Sequence, residues 1–236
     1  LDKGSYLENT AVNAPLQLQY DRQLSTIEIP QFPIQLNDQT FFTETCLDLA
    51  QEGVFFLSLF NQQTDFQVTK ALLPLHLQNK LAPYQIFRPL ATAISLRGEF
   101  VDGDNPWVHI DFTAPGNTVI VDGTLAFENV NGSGSFVNRI SEDPTIAKSE
   151  DRRNLKLSLQ DLHCEYLGAQ LYLENSTFQS TPQVPTTLDL QLHAKGRLDD
   201  LNAILGNENF FFAGGHFDAQ LKMEGAAESL ADVLKR

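Results

Sequence analysis

From residue 16 to residue 225, run after run of this chain puts an apolar side chain at every second position. FFTETCLDLA (41–50), ATAISLRGEF (91–100), PWVHIDFTA (106–114), NLKLSLQDLHCEYLG (154–168), AQLYLENSTF (169–178) and GGHFDAQLKMEG (214–225) all read this way. LQLQY (16–20), STIEIP (25–30), FPIQL (32–36), TVIVDG (118–123), TLAFENV (124–130) and GSGSFVNRI (132–140) are shorter pieces of the same kind. A period of two sends alternate side chains to opposite faces of a strand, so each run has one greasy side and one polar side. Parallel strands are apolar on both faces, whereas antiparallel sheets tolerate water on one. The pattern therefore predicts a mainly β protein built from antiparallel strands. VFFLSLF (54–60) is the exception, the longest apolar run, broken only by Ser58. QEG (51–53) before it is a plausible hairpin turn.

Only a few segments depart from strand character. Within 64–85 the alternation fails; Thr64 or Asp65 is placed to cap a helix running through Lys70–Leu73, the start of a short helical module near 65–82, and Pro74 and Pro83 chop the rest of that segment into short pieces. TTLDLQLHAKGRLDDLNAIL (186–205) changes period after Gly196, where Leu198, Leu201, Ile204 and Leu205 take helical spacing. Residues 226–236 read as a closing helix with Leu230, Val233 and Leu234 on one side. SEDPTIAKSEDRRN (141–154) and STPQVPTT (180–187) read as loops. The first suggests a division into β-rich parts 1–140 and 141–236, or one continuous domain. Between Leu159 and Leu162 the apolar positions switch from odd to even, which either reverses the faces or marks a bulge. DFQVTKALL with PLATAISLRGEF resembles RLDDLNAIL with GGHFDAQLKMEG, each a short helix, a gap and a strand, and this suggests a duplication.

Composition narrows function more by exclusion than by indication. Sixteen basic against 30 acidic residues give a net charge of -14, and no cluster of Lys and Arg offers a phosphate backbone a binding stripe, so no nucleic-acid partner is expected. The same charge disfavours adsorption on an anionic membrane surface. No run approaches the roughly 20 apolar residues of a membrane helix, and the N-terminus does not read as a signal peptide. Cys46 and Cys164 allow one disulfide or two buried free thiols. The five histidines are dispersed without HExxH or CxxC spacing, so neither a metal nor a cofactor is expected. His163 and Cys164 are adjacent on a strand and point to opposite faces, which rules them out as a nucleophile–base pair. GxGxxG, GxxxxGK[ST] and GxSxG are absent, and the carboxylates, such as Asp111, Asp189 and Asp218, occupy the polar positions of strands. No catalytic residue is assigned, and the chain reads as a non-enzyme.

VNGSGSFVNRI, NLKLSLQDLHCEYLGAQLYLENSTF, LDLQLHAKGRLDDLNAIL and GGHFDAQLKMEG, in that order, with LATAISLRGEFVDGDNPWVHIDFTAPGNTVIVDG upstream, resemble the AsmA-like family of bacterial envelope proteins. The likeness spans 64–236 and lies in hydrophobic pattern and Gly placement rather than in a catalytic signature. It implies a curved antiparallel sheet forming a groove or half-closed sandwich, with short helices capping its ends. It also implies a periplasmic protein, anchored to the inner membrane through a segment absent from this chain, that handles lipid or assists outer-membrane assembly. The partners would then be a phospholipid or other acyl-chain ligand and an envelope protein. On this reading the acyl chain meets Phe55, Leu57, Leu59, Ile94, Leu96, Val108, Ile110 and Phe112. Alternation alone equally allows a closed β-sandwich, in which the same residues are core. A sandwich that binds carbohydrate or protein at the cell surface is the rival function; its platform would draw on Trp107, Tyr84 or Tyr172.

Overall fold

The computed structural model describes residues 11–15, 17–50, 53–71, 78–79, 81–99, 106–140, 154–181, 184–205 and 211–226. Among these residues, thirteen strands and two short helices follow one another in the order β1 (Val12–Asn13), β2 (Gln19–Asp21), β3 (Thr26–Leu36), β4 (Gln39–Asp48), β5 (Val54–Thr64), α1 (Phe66–Ala71), β6 (Tyr84–Ile86), β7 (Leu90–Glu99), β8 (Trp107–Val121), β9 (Leu125–Val137), β10 (Leu155–Tyr166), β11 (Ala169–Thr181), β12 (Val184–Arg197), α2 (Asp200–Leu205) and β13 (His216–Ala226). All strands belong to one open antiparallel sheet, ordered β1-β3-β4-β5-β7-β8-β9-β10-β11-β12-β13, with β2 on β3 and β6 on β8. Of the arrangements the alternation allows, the described strands adopt the open one. β9 pairs with β10 through Val137–Lys156 and onward, so the sheet is continuous across the polar segment 141–153.

The strands are longer than their sequence signals. PWVHIDFTA and TVIVDG are one strand, β8, and TLAFENV and GSGSFVNRI merge into β9. STIEIP and FPIQL merge into β3, and most of the expected loop 180–187 is strand. Pro and Gly mark bulges here rather than strand ends. Register shifts occur between Ala114 and Asn117 on β8, between Gln160 and His163 on β10, and between Leu173 and Thr177 on β11. Gly116, Asn129 and Asp161 have positive φ at these places. An extra residue bends a strand and increases its twist, and here bulges fall side by side on four neighbouring strands. They also resolve the odd-to-even switch. Leu162 pairs with Leu173 and Leu173 with Leu192, while β12 alternates without a slip from Leu188 to Ala194. The bulge therefore keeps the leucines of β10 on one face.

Side-chain amides clamp the irregular pieces, because a primary amide donates and accepts like a peptide group. Asn117, fully buried, accepts from the backbone N–H of Phe87 and Arg88 and donates to the Arg88 carbonyl, fixing the link between β6 and β7. Gln39 clamps Asp65 in the same way, donating to its carbonyl at 3.2 Å and accepting from its N–H at 3.1 Å. Asn138 holds Pro106 and Val108, and Asn202 holds both backbone groups of Phe212. Asp65 is the N-cap of α1, its Oδ1 accepting from the N–H of Gln67 and Val68.

β5-α1-β6-β7 and β12-α2-β13 have one design: a strand, a short helix, and an antiparallel return beside the first strand. The direction of alternate strands puts both helices at the same end of the sheet, as the suggested duplication requires. The expected helix over 226–236 and most of residues 72–80 lie outside the described residues. A buried cluster of Leu90, Ala114, Val130 and Cys164, flanked by Ile86, Phe127, Leu162 and Leu171, sits under the β6–β7 link. Elsewhere the sheet has no second layer among the described residues.

Candidate functional site: the leucine face of the sheet

Register decides which side chains share a face, since directly paired residues project the same way. Leu59 pairs with Ile94, Ile94 with Ile110, Ile110 with Phe136, Phe136 with Leu157, Leu157 with Phe178 and Phe178 with Leu188. That is one unbroken apolar row across seven strands, roughly 29 Å at the usual spacing of about 4.8 Å between strands. Beside it lies a shorter row, Leu57-Leu96-Val108. Phe55, opposite Gly98, and Phe112, opposite Thr92 and Gly134, complete the set. All eight residues expected from the sequence thus share one face and are adjacent. Each is half-buried, and among the described residues no second sheet lies over them. Phe136, Leu157 and Phe178 extend the row by three strands. Their alternation is as visible as that of the eight, but only register tells which strands are neighbours.

Two kinds of feature interrupt the apolar surface. Thr43, Asn61, Thr64 and Thr92 form a buried polar belt, in which the Thr64 and Thr92 hydroxyls lie 2.6 Å apart. The Thr43 hydroxyl is buried without a hydrogen-bond partner among the described residues. Glycines are the second kind. A Cβ on Gly134 would lie 2.5 Å from Cζ of Phe112, and one on Gly196 would lie 2.8 Å from Cε1 of Phe217. In both places a phenylalanine ring covers backbone that carries no side chain, a known device for restoring packing over a strand glycine. The expected contrast along β12 is weaker than alternation predicts. Leu188 is buried, but Leu190 and Leu192 are only half-buried, no more than Asp189, Gln191 and His193. Among the described residues no second sheet lies over this face to hide them further.

The opposite face carries most of the charge. His193 Nε2 lies 2.5 Å from Asp218 Oδ1, and Lys195 Nζ lies 3.4 Å from Oδ2. The hydrogen bond from His193, with help from Lys195, holds the Asp218 carboxyl below the usual range. His163, Tyr172 and His193 form a row of rings with centroids 6.2 and 6.1 Å apart. Trp107 packs edge-on to His109, on β8 and at the other end of the strands from Tyr172. The three aromatic residues considered for a platform therefore lie on β6, β8 and β11 and are not gathered. Phe42, Phe56 and Phe60 are exposed on this face on β4 and β5, which is why VFFLSLF is apolar at every position but Ser58.

Cys164 belongs to the buried cluster and His163 to the other face, as their adjacency dictates. Burial, with a smaller contribution from the Glu165 charge, pushes the Cys164 thiol up to about 11. Cys46 and Cys164 are both free thiols. Among the described residues no three His, Cys, Asp or Glu side chains are grouped to hold a metal ion, and no helix is long and apolar enough to cross a membrane. No family model, curated protein or solved structure matches the chain.

Proposed function

We propose that this chain binds the acyl chains of a phospholipid or similar lipid along its leucine face, as a non-enzymatic component of lipid transport or outer-membrane assembly in a bacterial envelope. The observation that carries the reading is the apolar row from Leu59 through Ile94, Ile110, Phe136, Leu157 and Phe178 to Leu188, over which no second sheet lies among the described residues. Large contiguous apolar surfaces on soluble domains mark binding sites. Each CH₂ removed from water contributes about 0.8 kcal/mol, so half of a sixteen-carbon chain supplies about 6 kcal/mol before ordering costs of similar size. That balance suits a carrier that must also release its cargo. The resemblance to the AsmA-like family supplies the envelope setting, the periplasmic location and the inner-membrane anchor; the apolar face supplies the ligand class.

The test is native mass spectrometry of the chain purified from a bacterial host, followed by lipid extraction. Bound phospholipid that disappears when Ile94, Ile110 and Phe136 are changed together to Asn supports the reading. A protein that stays folded and lipid-free in membrane extract contradicts it.

A further inference from the structure

The two edges of the sheet are built differently. On the first edge, β1 and β2 pair only with the ends of β3, and the stretch between them carries Pro30 and Pro33 and a bulge between Ile29 and Phe32. Proline and bulges blunt an edge against further pairing. On the second edge, β13 is 11 residues long, contains no proline, and among the described residues pairs only with β12. Leu221 and Met223 on its leucine side are exposed. A long regular edge of this kind is a template for another strand.

The order of residues on β13 says which strand. About Gln220 the sequence HFDAQLKME (216–224) is self-complementary. In an antiparallel pair with its own copy centred there, Asp218 faces Lys222 and His216 faces Glu224, while Phe217 faces Met223 and Ala219 faces Leu221. Two-fold symmetry repeats each pair. A shift of centre to Leu221 puts Asp218 against Glu224, a like-charge pair, and a shift to Ala219 puts His216 against Lys222. A register shifted by one residue would set the leucine face of one sheet against the opposite face of the other. Only the Gln220-centred register joins opposite charges on one face and apolar residues on the other. We infer that the chain forms a two-fold dimer through β13–β13 pairing centred on Gln220. The contact is isologous and closes, and it makes one continuous leucine face from two sheets. The pairing does not depend on what that face binds.

Sedimentation velocity of the whole chain tests it, with a charge series. The unaltered chain should sediment as a dimer at high micromolar concentration. Lys222→Asp sets two acidic pairs across the axis and should weaken the dimer about tenfold or more. The double change Asp218→Lys with Lys222→Asp, made together with Lys195→Asp so that position 218 keeps an opposite charge beside it in its own sheet, reverses both signs across the axis and should restore it. Gln220→Cys in a Cys46→Ser background provides a second measurement. Directly opposed residues have Cα atoms about 4.5–5.5 Å apart, within disulfide reach, so Gln220→Cys should oxidise to a covalent dimer. Lys222→Cys, about 13 Å from its own copy, should not. Circular dichroism confirms that each variant is folded. A monomeric unaltered chain, with its edge left to a strand of another kind, overturns the inference. So does a dimer indifferent to Lys222→Asp that yields no Gln220→Cys crosslink.

Discussion

Gly134→Ala should destabilise the protein even though alanine is the better strand residue. Replacing an interior glycine by alanine ordinarily gains about 0.5–1 kcal/mol in backbone entropy. Gly134, however, lies between Phe112 on β8 and Leu159 on β10, and its absent side chain is the space the Phe112 ring occupies. A Cβ there would stand 2.5 Å from Phe112 Cζ and 2.8 Å from the Ser158 carbonyl oxygen. The ring can turn away, but the carbonyl is backbone and moves only with its strand. Overpacking of this kind costs about 1–3 kcal/mol, and displacing Phe112 uncovers part of the apolar row, so a net loss of about 2 kcal/mol is expected. Urea unfolding followed by circular dichroism measures it. Gly225→Ala is the control, since a Cβ at Gly225 has nothing within 4 Å and should be neutral or slightly stabilising. Phe112→Ala should lessen the cost of Gly134→Ala, giving a coupling of at least about 0.5 kcal/mol in a double-mutant cycle. Equal effects of Gly134→Ala and Gly225→Ala, or perfect additivity with Phe112→Ala, would refute the reasoning.

Asn117→Ala strips its partner from the Arg88 N–H and from the Arg88 carbonyl, while the Phe87 N–H keeps its bond to the Thr118 carbonyl at 3.1 Å. It should cost about 2 kcal/mol, and hydrogen exchange should show the Arg88 amide losing protection before that of Phe87. The Cys164 pKa is raised on folding from 9.0 to about 11. The folded state then holds its proton where the unfolded state releases it, so this contribution is full below pH 9 and lost as pH rises towards 11. Relative to Cys164→Ala, the native protein should lose on the order of 2 kcal/mol over that window, and a maleimide should label Cys46 well before Cys164.

Strand character was legible because it depends on side-chain alternation, which needs no partner to be seen. Residues of the apolar face such as Leu96 and Ile110 were legible for the same reason, because they alternate with polar neighbours within their own strands. Strand ends were not. Pro115-Gly116 and the glycines of GSGSF carry the local chemistry of turns, yet neighbouring strands supply hydrogen bonds on both sides and turn them into bulges. Ambiguity over the switch at Leu159–Leu162 had the same origin, because Asp161 at positive φ is visible only in three dimensions. Extension of the row to Phe136, Leu157 and Phe178 was hidden because strand order is a property of the sheet. So was the role of Asn117, an ordinary asparagine in sequence whose three bonds all reach residues about 30 positions away.

Photo-crosslinking from a genetically placed diazirine residue tests lipid contact at the leucine face most directly. The probe belongs at Leu96, Ile110 and Phe136 on that face and at Asp111 and Ser135 on the other. Asp111 and Ser135 pair directly, so they sample the opposite face at the same height in the sheet. Arg97 is a poorer comparison because Phe56 and Trp107 flank it. Crosslinked phospholipid is predicted at Leu96, Ile110 and Phe136, and none at Asp111 or Ser135. Equal labelling of both faces, or none at any position in a folded protein exposed to membrane, would contradict lipid binding along the leucine face.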